Sequence, residues 1–302
     1  MEASRSKYLI SAVSSAIIWG FFAFPLRNLK AYPAEQILYY RIFASLFVIW
    51  TAILLFRKKE LKQDIIFFKE RTPKQKKIIV LQIISATVLL FFNWFTYIYA
   101  INNVSIKSAA FAYMVCPLIT AFGGFIILKE HLSRLQLIAL ATASVSIITL
   151  ANASFIEVTW SVIIAALYAF YLIIQRKMQG FDKLNVLAVQ ITIAVVMMLP
   201  LYIYQHTAVP TETSFWINIL VIAVIFTLIP LFLSLYALIG IPSSTLGIII
   251  YVNPIIAFTV AIFYFNEKID SSQLMAYLLL LFAIFLFNYK MVRDMLTFKK
   301  QI

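Results

Sequence analysis

Arg41 is the first residue in this 302-residue chain whose position needs explaining. It stands about seven residues into an apolar run, 34–56. A charged side chain at that depth costs a few kcal/mol unless it is partnered or wet. A guanidinium there can grip a carboxylate through two parallel hydrogen bonds. It can equally snorkel, or pair with an acid or with helix-end carbonyls. Glu35, six residues earlier, falls on another face of the same helix and is no easy partner. Both readings of Arg41, substrate-binding and structural, stay open here.

Asn93, Trp94 and Tyr97 form a second group, with Asn93 and Tyr97 one helical turn apart. Rings of this kind stack on a planar solute while an amide fixes its orientation. The same residues also serve interhelical hydrogen bonding and aromatic packing. Trp19, Tyr113, Tyr168, Tyr171, Gln190, Tyr251 and Asn253 are candidates for the rest of such a lining, drawn from a chain with 16 tyrosines.

Pro117 and Pro254 sit at corresponding places in two apolar runs. Proline removes an internal hydrogen bond and loosens the helix, and paired interruptions mark the centre of a transporter. Glu130 and Glu267 stand at the ends of the same two runs, placed to cap a following helix or to pair with Lys129 and Lys268. A hinge role is expected for them rather than direct chemistry. Ala12, Ala16 and Gly20 make a stripe of small residues, which marks close helix packing.

Other chemistry lacks its residues. No phosphate-binding loop, zinc-protease motif or Cys/His cluster occurs, so neither a metal nor a cofactor nor a catalytic residue is expected. The single cysteine, Cys116, lies in an apolar run, and His131 and His206 are far apart. The interiors of the apolar runs hold no Asp or Glu, so proton coupling lacks a clear carrier.

The elements that position these residues follow from composition. Sixty-three per cent of residues are hydrophobic, 12% are charged and the mean hydropathy is +0.95. A soluble domain carries about 25% charged residues, so this chain requires a bilayer as solvent. The net charge of +13 sits almost wholly between apolar runs, which excludes a nucleic-acid-binding face. Ten runs suffice to cross a membrane: 8–27, 34–56, 78–101, 105–128, 133–151, 157–176, 184–204, 214–238, 243–265 and 271–289. The first is too long for a signal peptide and is expected to stay as a span. With the N-terminus cytoplasmic, twenty Lys and Arg fall on the inner side and four on the outer, with Arg41 inside a span. That asymmetry puts both termini in the cytoplasm. Segment 57–77 becomes an inner loop, expected to hold a short helix resting on the leaflet.

The chain also repeats itself. An offset of 137 residues brings Phe95 onto Phe232, Tyr99-Ala100 onto Tyr236-Ala237, Pro117 onto Pro254, Glu130 onto Glu267, and Gln136-Leu137 onto Gln273-Leu274. The offset is five spans. Five is odd, so the second copy crosses the membrane in the opposite sense. The expected fold is an all-α integral membrane protein, ten transmembrane helices in two inverted five-helix repeats, 1–152 and 153–302. Halves of this kind belong to secondary transporters, which expose one central site to either side in turn. A membrane-embedded enzyme or a purely structural bundle is the competing class.

An ordered set of short matches points to one family. It comprises Trp19-Gly20 with Pro25, Glu35 with Arg41, Asn93-Trp94 with Tyr99-Ala100, Ser108-Ala109 with Tyr113, and Glu130-x-Leu132-x4-Gln136. In the second half it continues with Pro230-Leu231, Pro242-Ser243-Ser244-Thr245-Leu246-Gly247, Tyr251, Pro254 and Glu267. The chain resembles the EamA family of the drug/metabolite transporter superfamily, in its RarD-like branch. That resemblance implies ten helices in a bacterial inner membrane. It implies a small-molecule substrate, a metabolite or drug, exported without a nucleotide; the alternative reading is a facilitator or exchanger of amino acids or similar metabolites without proton coupling. Cys116 departs from the branch pattern, where Asn precedes the proline; the second half keeps it as Asn253.

Overall fold

The computed structural model describes residues 2–128, 132–178, 180–205, 208–240 and 249–298. Their regular structure is entirely helical. The helices are α1 (Glu2–Gly20), α2 (Ala23–Asn28), α3 (Ala34–Phe56), α4 (Lys58–Lys69), α5 (Pro73–Asn103), α6 (Ile106–Leu128) and α7 (Arg134–Ala153). They continue with α8 (Phe155–Lys177), α9 (Lys183–Gln205), α10 (Thr213–Ala223), α11 (Ile229–Gly240), α12 (Val252–Phe263) and α13 (Ser271–Phe298). A π-helical turn, Val224–Leu228, joins α10 to α11. Among the described residues nine spans are long and apolar enough to cross a membrane, counting α1 with α2 and α10 with α11 as one each. The shorter α12 belongs to the tenth, whose start at 241–248 lies outside the described residues. The molecule is thus an all-α membrane protein of ten spans.

The repeated sequence explains local structure. Ser133 and Gln136 close a capping box at the start of α7. In the second copy Asp270 takes the cap position and accepts from the Gln273 backbone N–H at 2.7 Å. The repeated glutamine therefore sits three residues after the cap in both halves, where a side-chain amide can satisfy orphaned donors.

The packing follows a two-fold pattern. Helix α1 packs on α11 and α12, and its counterpart α8 packs on α5 and α6. Three pairs join equivalent spans of the two halves: α7 with α13, α6 with α12, and α3 with α9. Small hydroxyl residues bond across these seams. Ser15 Oγ donates to the Pro230 carbonyl at 2.8 Å, Ser146 to Ala276 at 2.7 Å, and Ser161 to Ser108 at 2.8 Å. In hydrocarbon, close approach plus such bonds hold helices together. Phe47, Phe56, Val196 and Leu201 are exposed on the outside of the bundle, as lipid-facing residues should be.

The small stripe of α1 is a seam. Ala12 and Ala16 are buried, and a Cβ on Gly20 would come within 2.6 Å of Ile256 Cβ. That atom sits at the root of its side chain and cannot swing away. Gly20→Ala is expected to destabilise by about 1–3 kcal/mol through overpacking, read as a lowered thermal midpoint.

The expected helix at 57–77 exists as α4, and Ile65 and Ile66 on it are exposed. It also docks on the α8–α9 connection, where the Phe67 ring packs edge-on against Phe181 at 4.9 Å. Gly180 holds a positive φ of 92°, and an added Cβ there would lie 2.5 Å from the Phe67 ring.

Pro117 marks no break, whereas the ninth span is interrupted beside Pro254. Helix α6 runs unbroken through Pro117. Residues 249–250 are helical and Tyr251 is a turn, so the ninth span is interrupted just before α12, of which Pro254 is the third residue. Among the described residues two further spans are interrupted, the first at Gly20–Phe22 and the eighth at the π turn. Each of these two breaks lies four residues before another proline, Pro25 or Pro230. A proline ring clashes with the carbonyl four residues back and leaves it unbonded. Those carbonyls belong to Phe21 and Phe226. Phe21 O is taken by Phe24 N–H in a tight turn at 3.2 Å. Phe226 O is taken by the Trp19 indole Nε1 at 3.0 Å. Trp19 is therefore a clamp between the broken first and eighth spans.

Candidate functional site

Arg41 lies where the broken first and eighth spans face α3 and α5. It is 2% exposed. Its Nε donates to Thr227 Oγ1 at 3.0 Å, and Thr227 in turn donates to the Ile222 carbonyl at 2.8 Å. Thr227 belongs to the π turn, so the break supplies the arginine's hydrogen-bond partner. The guanidinium stands over Trp94 at 4.5 Å and over Phe22 at 5.2 Å from the ring centres. Its Nη1 is buried with no hydrogen-bond partner. Among the described residues no carboxylate pairs with it.

A row of rings extends from this point. Phe226 stacks on Phe22 at 5.4 Å, and Phe22 on Tyr97 at 5.7 Å. Tyr97 meets Tyr113 at 5.4 Å, Tyr113 meets Tyr168 at 5.7 Å, and Tyr168 meets Tyr171 at 5.7 Å. The row runs from the eighth span through the first, third and fourth to α8, and so crosses both halves.

Six sequence candidates therefore lie together: Arg41, Trp94, Tyr97, Tyr113, Tyr168 and Tyr171. Trp19 adjoins them through Phe226. Gln190 takes a bond from Gln175 at 3.2 Å, and its own Nε2 is buried without a partner. Asn93 points into a seam, where its Nδ2 donates to the Ile164 carbonyl on α8 at 2.9 Å. Tyr251 and Asn253 are buried at the head of α12 and take no part in the ring contacts among the described residues. The sequence reading missed Phe22, Phe226 and Thr227. Their signal was Pro25 and Pro230, each downstream of the break it causes.

Charge clasps tie the halves at both ends of the bundle. At one end Glu267 Oε1 accepts from Arg27 Nη2 at 2.8 Å and from the Ile106 backbone N–H at 2.9 Å. Its Oε2 accepts from the Lys107 N–H at 3.2 Å. A carboxylate on the first turn of α6 satisfies orphaned donors and the helix dipole together. Glu267 thus caps a helix, as expected, but one of the other half, and its cation is Arg27 rather than Lys268. Lys107 Nζ donates to the Lys268 carbonyl and to Gln273 Oε1. Glu130, the sequence counterpart of Glu267, lies outside the described residues.

At the other end Arg57 Nη2 bonds Asp182 at 2.8 Å, and Asp64 on α4 accepts from the Asp182 N–H and from Asn185 Nδ2. Burial raises the Asp64 carboxyl above its ordinary value, against the lowering effect of those bonds. A folded pKa above the unfolded value means that stability is fully present below about pH 4 and is lost as pH rises through the folded pKa. The thermal midpoint is expected to fall over that window in the parent, and to fall less in Asp64→Asn.

Comparison with known proteins places this geometry. The profile of the EamA-like transporter family matches twice, over residues 6–152 and 155–289. The chain is 28% identical over 300 residues to an uncharacterized transporter, YojE, of Bacillus subtilis, covering 97% of each chain. It is 25% identical over 300 residues to the protein RarD of Escherichia coli, covering 95% of this chain and 96% of that one. A solved crystal structure shares the fold with a TM-score of 0.65 at 14% identity, over 94% of this chain and 98% of that one. Two matches in tandem account for ten spans and for the internal repeat, and the chain belongs to the EamA-like transporter family.

Proposed function

We propose that this transporter moves a small organic solute out of the cell by alternating access, with the solute resting beside Arg41. The observation that carries this reading is the guanidinium itself. It is buried, has no carboxylate partner among the described residues and lies against aromatic side chains, at the meeting point of both halves and of the broken first and eighth spans. A bundle selected only for stability gains nothing from such a group, since an apolar replacement is commonly neutral or stabilising.

The repeat units 1–152 and 153–302 are the two bodies that rock. The Lys and Arg asymmetry puts α4 and both termini on the cytoplasmic side, so the Glu267 clasp is the outer closure and the Asp182 clasp the inner one. Opening either end breaks one clasp while the other holds. Proton coupling lacks a clear carrier, because the inner parts of the spans carry no Asp or Glu. Flux of labelled solutes from proteoliposomes tests the reading. Saturable movement with purified protein supports it; no movement above protein-free vesicles for acidic, neutral, basic or zwitterionic aromatic solutes contradicts it.

A further inference from the structure

The solute's charge follows from what surrounds Arg41; the inference rests on the transport reading. Arg41 is 2% exposed, whereas the half-buried Arg71 and Lys76 lie on the Phe67 and Phe68 rings beside α4, and among the described residues the other buried or half-buried cations that approach the core have oxygen partners. Arg27 holds Glu267, Arg57 holds Asp182, and Lys107 meets a carbonyl and an amide oxygen. Arg41 has one hydroxyl oxygen and two ring faces. Ring faces attract a desolvated cation, but they accept no hydrogen bond in the plane of the guanidinium. Nη1 is left unpaired, and an unmade bond to a buried charged group is costly.

We propose that the solute is an organic monoanion, a carboxylate on a planar and largely apolar body. The carboxylate answers Nη1 of Arg41, and the body lies along Trp94, Tyr97 and Tyr113. One guanidinium neutralises one charge, which selects a monoanion over a dianion. A zwitterion is disfavoured: its ammonium would enter beside a cation, with no carboxylate among the described residues at the site to receive it. An inside-negative potential drives such an anion outward, so export needs no coupled ion.

The test uses the full purified chain and matched probes. Benzoate and indole-3-acetate are compared with benzamide, indole-3-acetamide, phenylalanine and sodium chloride in thermal unfolding. The two carboxylates are expected to raise the midpoint in a dose-dependent way, at concentrations where the amides and phenylalanine do not. Arg41→Gln is expected to weaken the carboxylate effect by about tenfold or more, the loss of a charge-assisted hydrogen bond. In proteoliposomes an imposed inside-negative potential should accelerate benzoate efflux. Equal stabilisation by the amides or by phenylalanine overturns the anion assignment and leaves transport standing. A chloride effect as large as that of benzoate makes Arg41 an inorganic anion site and overturns the organic part. The comparison of acids with amides needs no variant, so it decides the matter even if Arg41→Gln fails to fold. If no probe shifts the midpoint and none moves across the vesicle, both readings fall.

Discussion

Arg41→Met is expected to fold at least as stably as the parent chain while losing transport by about tenfold or more. The two halves of that expectation come from different physics. Replacing even a buried ion pair by well-packed apolar residues is often neutral or stabilising by about 1–4 kcal/mol, and a cation without an anion has less to set against its desolvation penalty. Methionine fills the volume between Trp94 and Phe22, and leaves Thr227 its bond to the Ile222 carbonyl. Stability therefore does not need the charge. Transport does, because the guanidinium is the group that can hold a solute by directed bonds, and charge-assisted bonds run to about 1.5–3 kcal/mol each. Thermal unfolding beside vesicle flux separates the outcomes. A large loss of stability would make Arg41 a structural residue.

Glu267→Ala is expected to destabilise by about 2–3 kcal/mol. One carboxylate takes three hydrogen bonds from two elements, and its removal orphans Arg27 and the first two N–H groups of α6. Breaking a fully buried pair costs about 3–5 kcal/mol. The estimate is lower because the Arg27 and Glu267 side chains keep 19% and 14% of their exposure. Glu267→Gln retains the acceptor oxygen and is expected to lose about half as much. The comparison of thermal midpoints checks the order. It also locates the role: a carboxylate needed for solute chemistry would be as sensitive to Gln as to Ala.

The bilayer class, the span count and the doubling were legible in the chain, because each rests on long apolar runs and a fixed spacing that single side chains cannot disguise. The aromatic row was partly legible. Trp94, Tyr97, Tyr113, Tyr168 and Tyr171 could be named, but Asn93 turns into a seam, and nothing in its type separates a lining amide from one that bonds a neighbouring carbonyl. The helix breaks were half legible: the ninth span is interrupted at Tyr251, beside Pro254, while the breaks in the first and eighth spans were missed. Pro117 attracts attention because it repeats Pro254, yet α6 runs straight through it, so a proline alone does not say whether its helix breaks. At Phe226 the carbonyl is received by Trp19, 207 residues away in sequence. At Phe21 it is received within a tight turn. Neither partner can be read from the proline itself. The Glu267 clasp was half legible for the same reason: the glutamate stood at a helix end, but the helix it caps is brought there by the other half of the molecule.

The central claim is that one site beside Arg41 faces each side of the membrane in turn. A Cys116→Ser background carrying Tyr113→Cys tests it most directly, since Tyr113 stands in the ring row between Tyr97 and Tyr168. In oriented vesicles an impermeant thiol reagent should label residue 113 from either side, and indole-3-acetate should slow both reactions. Labelling from one side only, unchanged by the carboxylate and by an imposed potential, would contradict alternating access at this site.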